Sequence, residues 1–288
     1  MQQIKTIGVC GAGTMGTGIA QLSVQSGFPT ILFDVQENML QKSKDAMHEN
    51  WKGLLAKGKI SQEDLLQFEK LIIYSSNINH CVVDLVIEAI IEKASVKLDL
   101  FHQLAEINPI KTIFVSNTSS ISINAMASKM EDPFRFAGMH FFNPATHMKL
   151  VEIVRGNETS EAVIKMLQEL AIRMGKTAVV CKDSPGFIVN RVARHYYLES
   201  LYMMAQSKLD AATIDQVLEG TGFKMGAFKL MDLIGIDINY GVSKIIWEDL
   251  DKPKRLLPSI LQEQKIEKQE LGRKTGEGFY NYYKEENN

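Results

Sequence analysis

Two hydrophobic rhythms divide this chain. In its first part, short apolar runs alternate with stretches whose apolar residues recur every three to four positions. The runs predict strands at Lys5–Cys10, Thr30–Asp34, Leu71–Tyr74, Val83–Glu88, Thr112–Ser116, Phe136–His140 and Leu150–Val154. Helical stretches lie between most of them, as in Met15, Ile19 and Leu22 behind the first strand. Such alternation predicts an α/β domain, a doubly wound and mostly parallel sheet with helices on both faces. Residues 36–69 are too long for a simple crossover and read as two helices, a polar, lysine-bearing hairpin exposed beside the sheet.

The texture changes at Lys182-Asp183-Ser184-Pro185-Gly186, where proline and glycine break the pattern. Beyond it strand signals nearly vanish. Helices are predicted at Phe187–Gln206, Ala211–Leu218, Ile234–Asp249 and Pro258–Gln269, followed by a glycine-rich tail, Gly272–Tyr280. The expected organisation is a first domain over 1–184 and a smaller all-α domain over 185–288.

The loop behind the first strand carries the most specific chemistry. Gly11-Ala12-Gly13-Thr14-Met15-Gly16 follows the run ending at Cys10, and Asp34 ends the second strand. In this arrangement the first glycine permits a tight turn, the second admits a pyrophosphate, and the third lets the helix pack against the strand. The pyrophosphate would sit on the free N–H groups of the helix start. Asp34 would accept from a ribose 2′-hydroxyl and repel a 2′-phosphate, and Val35-Gln36 supply no arginine for one, so NAD is expected over NADP. A glycine-rich turn with no ligand is the bland alternative.

Bulk properties narrow the class further. The chain has 288 residues, 45% hydrophobic and 23% charged, with a formal charge of −2, which gives no general attraction to nucleic acid or anionic lipid. The run Val82–Ile91 is interrupted by Asp84 and Glu88, so no membrane span is expected, and the start of the chain lacks a signal-peptide pattern. Cys10, Cys81 and Cys181 are scattered, which indicates neither a disulfide framework nor a zinc site and fits a reducing cytoplasm.

Ligands of open α/β sheets collect at strand carboxyl ends. Three polar clusters fall there: Glu88–Glu92, Ser116-Asn117-Thr118-Ser119-Ser120, and His140. His140 is the candidate base. Glu152, inside Leu150-Val151-Glu152-Ile153-Val154, needs a partner in so apolar a strand. If the two strands are neighbours, Glu152 can hold one imidazole nitrogen and raise the basicity of the other. A metal site from His140, His147 and Glu152 matches no familiar ligand spacing. His48, His80, His102 and His195 have no arranged partner in the sequence. Ser119 reads equally as a helix cap for the segment from Ile121 onward or as a substrate contact. Asn190 reads as a cap or a contact at the domain junction. Lys42, Lys44, Lys52, Lys57 and Lys59 form a solvated face or a landing site for an anionic handle such as coenzyme A.

Taken together and in order, these motifs resemble the L-3-hydroxyacyl-CoA dehydrogenase family over nearly the whole length. The resemblance is carried by Gly11–Gly18, Val86-Ile87-Glu88-Ala89, Ser116–Ser120, His140-Phe141-Phe142-Asn143-Pro144, Lys149–Glu152, Asp183–Arg191 and the tail. It implies a Rossmann-type domain and an NAD-dependent oxidation of 3-hydroxyacyl-CoA, the 3-hydroxybutyryl-CoA type foremost, in fatty acid metabolism and β-oxidation. It implies His140 as general base, Glu152 as its orienting carboxylate, and Ser119 and Asn190 on the substrate's C3 oxygen or thioester carbonyl. Glu92 and Lys97 would lie near the nicotinamide ribose, with Asn117, Ser119, Thr14, Met15 and Asn143 completing the cofactor site; apart from the resemblance, Lys57 is the hairpin lysine expected on coenzyme A. A homodimer through the helical domain is also implied, with the active site in the cleft between domains. Two departures stand out: Ala227 where many relatives have proline, and Thr146-His147 where residues are usually small or apolar. Arg191–Arg194 and Leu230–Gly235 look more like a branch that handles 3-hydroxyadipyl-CoA, whose far carboxylate could use Arg194. A free 3-hydroxyacid dehydrogenase and a non-catalytic NAD-binding protein on the same scaffold are the remaining alternatives.

Overall fold

A computed structural model describes residues 3–207 and 209–283. The chain forms two compact units, Met1–Asp183 and Ser184–Asn288.

The first unit is built on eight strands: β1 (Ile7–Cys10), β2 (Thr30–Phe33), β3 (Ile72–Ser75), β4 (Leu85–Glu88), β5 (Ile113–Ser116), β6 (Phe136–Phe141), β7 (Leu150–Arg155) and β8 (Thr177–Lys182). They lie in the order β3-β2-β1-β4-β5-β6-β7-β8. β3 to β6 are joined by parallel pairings, β6 and β7 are antiparallel, and β7 and β8 are parallel again. The strand order reverses direction at β1, which has β2 on one side and β4 on the other. That reversal opens the crevice in which doubly wound sheets bind ligands. β1, β4 and β5 are buried at every residue, which is why they read as continuous apolar runs rather than alternating ones.

Helices α1 (Thr14–Gln25), α2 (Glu37–Ala56), α3 (Gln62–Leu71), α4 (Ala94–Ile107), α5 (Ile123–Ala127) and α6 (Glu161–Arg173) complete this unit. The 36–69 segment is the expected helical pair, but it is less peripheral than its lysines suggest. Leu40, Met47, Trp51, Leu65 and Phe68 join the same core as Ile7, Ile87 and Ile153. Trp51 is fully enclosed, with its ring 5.6 Å from that of Phe68. α3 begins with a reciprocal cap, in which Ser61 Oγ accepts from the Asp64 N–H and the Asp64 carboxylate accepts from the Ser61 N–H. β8 lacks a counterpart among the sequence-predicted strands. It is an edge strand, partly exposed along its whole length, so it shows neither the buried run nor the alternation on which the prediction relies.

The second unit comprises α7 (Val189–Gln206), α8 (Ala211–Gly220), α9 (Ala227–Ile234), α10 (Ile236–Asp249) and α11 (Ile260–Glu267). Its core is formed by Leu201, Ile214, Phe228, Met231 and Ile246 with their neighbours. α9 was absent from the predicted helices, and the helix expected over Ile234–Asp249 starts two residues later. Gly235, at φ 101°, turns the chain between α9 and α10. A left-handed φ of this kind costs glycine little.

The glycine-rich tail is strapped to this unit by two buried carboxylates. Asp232 accepts from the N–H groups of Phe279 and Tyr280, both at 2.9 Å, and from Tyr282 Oη at 3.0 Å. Asp215 accepts from the N–H groups of Phe228 and Lys229 and from Tyr280 Oη. Asp232→Ala strands two backbone donors, at about 1–3 kcal/mol each. The expected loss is about 2–4 kcal/mol of unfolding free energy, read as a lower urea midpoint. An unchanged midpoint would mean that the strap contributes nothing.

Candidate active site

The glycine turn is fixed by close approaches. Gly11 has φ +104°, and a Cβ placed there would lie 2.5 Å from the Ala89 carbonyl oxygen. A Cβ on Gly16 would lie 1.7 Å from the Gly11 oxygen. A Cβ on Gly13, in contrast, meets nothing within 4 Å. The first and third glycines thus serve the protein's own packing, whereas the second faces open space. Gly13 is also the N-cap of α1, with no side-chain cap and no acidic residue in the first turn. Uncapped N–H groups at a helix start favour an anion.

Asp34 stands at the end of β2. Its Oδ2 accepts from the Ala12 N–H at 2.7 Å, and its Oδ1 from the Gln36 N–H at 2.9 Å. A groove of about 690 Å³ opens here, bounded by Gly11, Gly13, Met15, Asp34, Ile78 and Ile90 among others. The open cradle over Gly13, the uncapped helix and the anchored carboxylate together fit a dinucleotide. Ile78 was invisible as a site residue in the sequence, because it sits in a single helical turn between β3 and β4 that belongs to no motif.

At the ends of β4 and β5 the polar clusters form one web. Lys97, on α4, is 1% exposed, and its Nζ lies 2.6 Å from Glu88 Oε1 and 3.1 Å from Glu92 Oε2. Glu88 is fully buried. It also accepts from the Ile90 N–H at 2.7 Å and from Ser116 Oγ at 2.5 Å. Glu92 accepts from Thr118 Oγ1, the Ser119 N–H and Ser120 Oγ. Burial would raise the Glu92 carboxyl, but Lys97 and these donors outweigh it and hold it below the usual carboxylate range. Ser119 is therefore not the helix cap; Ser122 caps α5 by accepting from the Ala125 N–H.

β6 and β7 set the second feature. Their antiparallel register places His140 directly opposite Glu152. His140 Nδ1 and Glu152 Oε2 are 2.7 Å apart, and both residues are buried. The Phe142 ring lies 4.5 Å from the imidazole. A carboxylate on Nδ1 favours the tautomer with its proton there, which makes Nε2 the basic nitrogen. Asn117 has an unforeseen part: its Oδ1 accepts from the Phe141 N–H at 2.8 Å, so the β5 end holds the β6 end beside His140. Lys176, just before β8, donates to the carbonyls of Ala145 and Met148 and so ties down the loop after the histidine.

The remaining candidates are more scattered. Asn143 is exposed beyond β6, and Lys57 is exposed on the turn between α2 and α3. The His147 ring lies 2.9 Å from the hydroxyl of its neighbour Thr146, and no metal-ligating cluster occurs among the described residues. His48 pairs with Glu69 and His80 with Ser75. Asn190 belongs to the second unit, in the first turn of α7 and half-buried. None of the described helices is long and apolar enough to cross a membrane.

Residues 6–184 match the family model described as 3-hydroxyacyl-CoA dehydrogenase, NAD binding domain, and residues 186–282 match its C-terminal domain. The chain is 40% identical over 284 residues to the 3-hydroxyadipyl-CoA dehydrogenase of Escherichia coli K12, covering 98% of this chain and 60% of the relative. It therefore spans about three fifths of that relative's length. It is 37% identical to the mitochondrial hydroxyacyl-coenzyme A dehydrogenase of Sus scrofa, covering 97% of this chain and 91% of the relative. The crystal structure of (S)-3-hydroxybutyryl-CoA dehydrogenase from Ralstonia eutropha superposes with a TM-score of 0.94 at 33% identity, covering 97% and 99% of the two chains.

The three glycines and the buried web can be tested separately. Gly13→Val projects into open space, so the expected result is a nearly unchanged urea midpoint with NADH affinity at least about tenfold weaker, 1.4 kcal/mol. Gly16→Ala drives a methyl group into the Gly11 carbonyl, so stability itself should fall. Glu88→Gln removes the closer counter-charge of a buried lysine, a loss of about 3–5 kcal/mol when such a pair is broken. NADH titration and urea unfolding read both effects. Unaltered affinity in Gly13→Val would exclude this cradle as the cofactor seat.

Proposed function

The chain belongs to the 3-hydroxyacyl-CoA dehydrogenase family, and on that premise we propose that it oxidises an L-3-hydroxyacyl-CoA to the 3-ketoacyl-CoA with NAD, and runs the reverse reaction. The observation that carries this reading is the buried His140–Glu152 pair at 2.7 Å, on adjacent strands of the dinucleotide-binding unit. Short acyl groups are the expected substrates, 3-hydroxybutyryl-CoA first.

His140 takes the proton of the C3 hydroxyl at Nε2 as the C3 hydrogen departs with its electron pair. Bound NAD supplies the acceptor for that hydride. Glu152 holds the Nδ1 proton and stabilises the imidazolium while it exists, so the new proton has a defined place until solvent removes it. In the reverse direction the imidazolium returns a proton to the ketone oxygen. Ser119 and Asn190 hydrogen-bond the C3 oxygen or the thioester carbonyl. Ser119 is suited to this because Glu92 fixes its backbone and leaves its hydroxyl to a ligand. Glu92 and Lys97 lie near the nicotinamide ribose, Lys97 acting from beneath through its pair with Glu92, and Asp34 meets the adenosine ribose. Asn117 and Asn143 shape the floor beside His140, and Lys57 is an exposed cation for the coenzyme A phosphates.

The second unit also has a surface suited to self-association. Val192, Tyr202, Met203, Leu209, Val217 and Phe223 are each at least 43% exposed on α7, α8 and the turns beside them. A concentration of large apolar residues of this kind marks an interface, and we assign it to a homodimer. The three free cysteines suit a reducing, cytoplasmic setting.

His140→Ala should lower kcat by about 10²–10⁴-fold, followed by nicotinamide absorbance with acetoacetyl-CoA and NADH, while NADH affinity stays close to that of the parent. A variant with undiminished turnover would remove His140 as the base. Turnover of free 3-hydroxy acids in place of their thioesters would move the protein out of the acyl-CoA class.

A further inference from the structure

One hydroxyl governs the turn that carries Ser119. Thr118 follows β5 and is 1% exposed. Its backbone is fixed from behind: its N–H donates to Ser116 Oγ at 3.2 Å, and that hydroxyl donates to the buried Glu88 at 2.5 Å. Its own Oγ1 donates to Glu92 Oε1 at 2.5 Å and accepts from the N–H groups of Ser120 at 3.2 Å and Ile121 at 2.8 Å. A hydroxyl offers one donor and two acceptor positions, so this one is used to capacity inside the protein. Its β-branched side chain also has little freedom at χ1.

The bonds around Glu92 are distributed unequally. Oε1 takes the Thr118 hydroxyl, the Ser119 N–H at 3.1 Å and the Ser120 hydroxyl at 3.1 Å. Among the described residues Oε2 meets only Lys97 Nζ, at 3.1 Å. A carboxylate oxygen has about two lone-pair sites, so Oε1 is filled and Oε2 has room for a hydroxyl brought by a ligand. The Thr118 bond helps to set the rotation of the carboxylate that makes this difference. The two N–H groups that Thr118 accepts from lie beyond Ser119, so the chain is bent around that residue. Closing the turn needs only those two bonds; the donation to Glu92 ties the turn to the cofactor side.

On the reading above, on which this inference rests, Glu92 lies near the nicotinamide ribose and Ser119 meets the C3 oxygen or the thioester carbonyl. Both depend on the same hydroxyl oxygen. We propose that Thr118 is a positioning residue for the reaction: its hydroxyl aims Glu92 Oε2 at the cofactor and Ser119 at the acyl group, so that the two reactants are aligned by one buried group that touches neither. Alignment of this kind matters because an error of about 1 Å in placing a reactant costs on the order of a hundredfold in rate.

The test is a cycle of Thr118→Val, Ser119→Ala and the double variant, with Thr118→Ser as the rescue. Valine keeps the shape and removes the hydroxyl. It should lower kcat for acetoacetyl-CoA reduction by about ten- to a hundredfold and weaken NADH binding, read by direct titration, about fivefold. Thr118→Ser should recover most of both. Because Thr118 acts partly through Ser119, the double variant should lose about fivefold less in kcat than the product of the two single losses. Full additivity, absence of rescue by serine, or a Thr118→Val variant that keeps either the kcat or the NADH affinity of the parent overturns the inference, while an impaired Ser119→Ala leaves the dehydrogenase reading intact. An undiminished kcat in Ser119→Ala overturns the role of Ser119 and the inference with it. Should the valine variant not fold, Thr118→Ala carries the same comparison. If neither folds, the hydroxyl is a stability group and the inference is overturned.

Discussion

A carboxylate inside a β-branched strand is stable only where something nearby balances it, and Glu152 meets that requirement through His140. The balance depends on register. Because β6 and β7 run antiparallel, the two residues face each other across one rung of the ladder. A slip of one residue would send one side chain to the opposite face of the sheet. The short apolar elements around them, the Asn117 bond to Phe141 and the Lys176 anchor on the following loop all hold that rung in place. The single reversal of strand direction in this sheet thus falls where the reactive pair sits.

A similar economy of charge governs the other end of the crevice. Lys97 is enclosed between Glu88 and Glu92, and Glu88 is completed by a backbone N–H and a serine hydroxyl. Buried ions are tolerated when paired and hydrogen-bonded. Here they are, and the web links β4, β5 and α4 in one network. Lys176 and Arg194 are instead enclosed among neutral acceptors, which are backbone carbonyls and, for Arg194, the Ser243 hydroxyl as well.

Much of this was legible in the residues. Gly11-Ala12-Gly13 behind β1 and Asp34 at the end of β2 located the dinucleotide crevice, because each glycine answers a distinct steric demand. Glu152 called for a partner from within an apolar run, and His140 was the histidine at a strand end. Other parts were not legible for identifiable reasons. β8 lies at an edge with mixed exposure, and so has neither signature of a strand. α9 is short and separated from α10 by one left-handed glycine. The inner stripe of the α2–α3 hairpin was masked by its lysines. Asn117 acts through a backbone bond between strands distant in sequence, and Ile78 lines the groove only because a loop folds back. Such contributions arise from tertiary proximity, which periodicity does not encode.

The clamp of Glu92 on residues 118–120 has a thermodynamic corollary. Three donors from consecutive residues converge on one carboxylate, so the segment carrying Ser119 is ordered by the polypeptide itself. Freezing a loop at the moment of association would subtract its conformational entropy from the affinity. With that ordering completed during folding, a newly arrived molecule meets a preorganised surface. Its binding free energy can then go toward orientation rather than toward assembling the receptor.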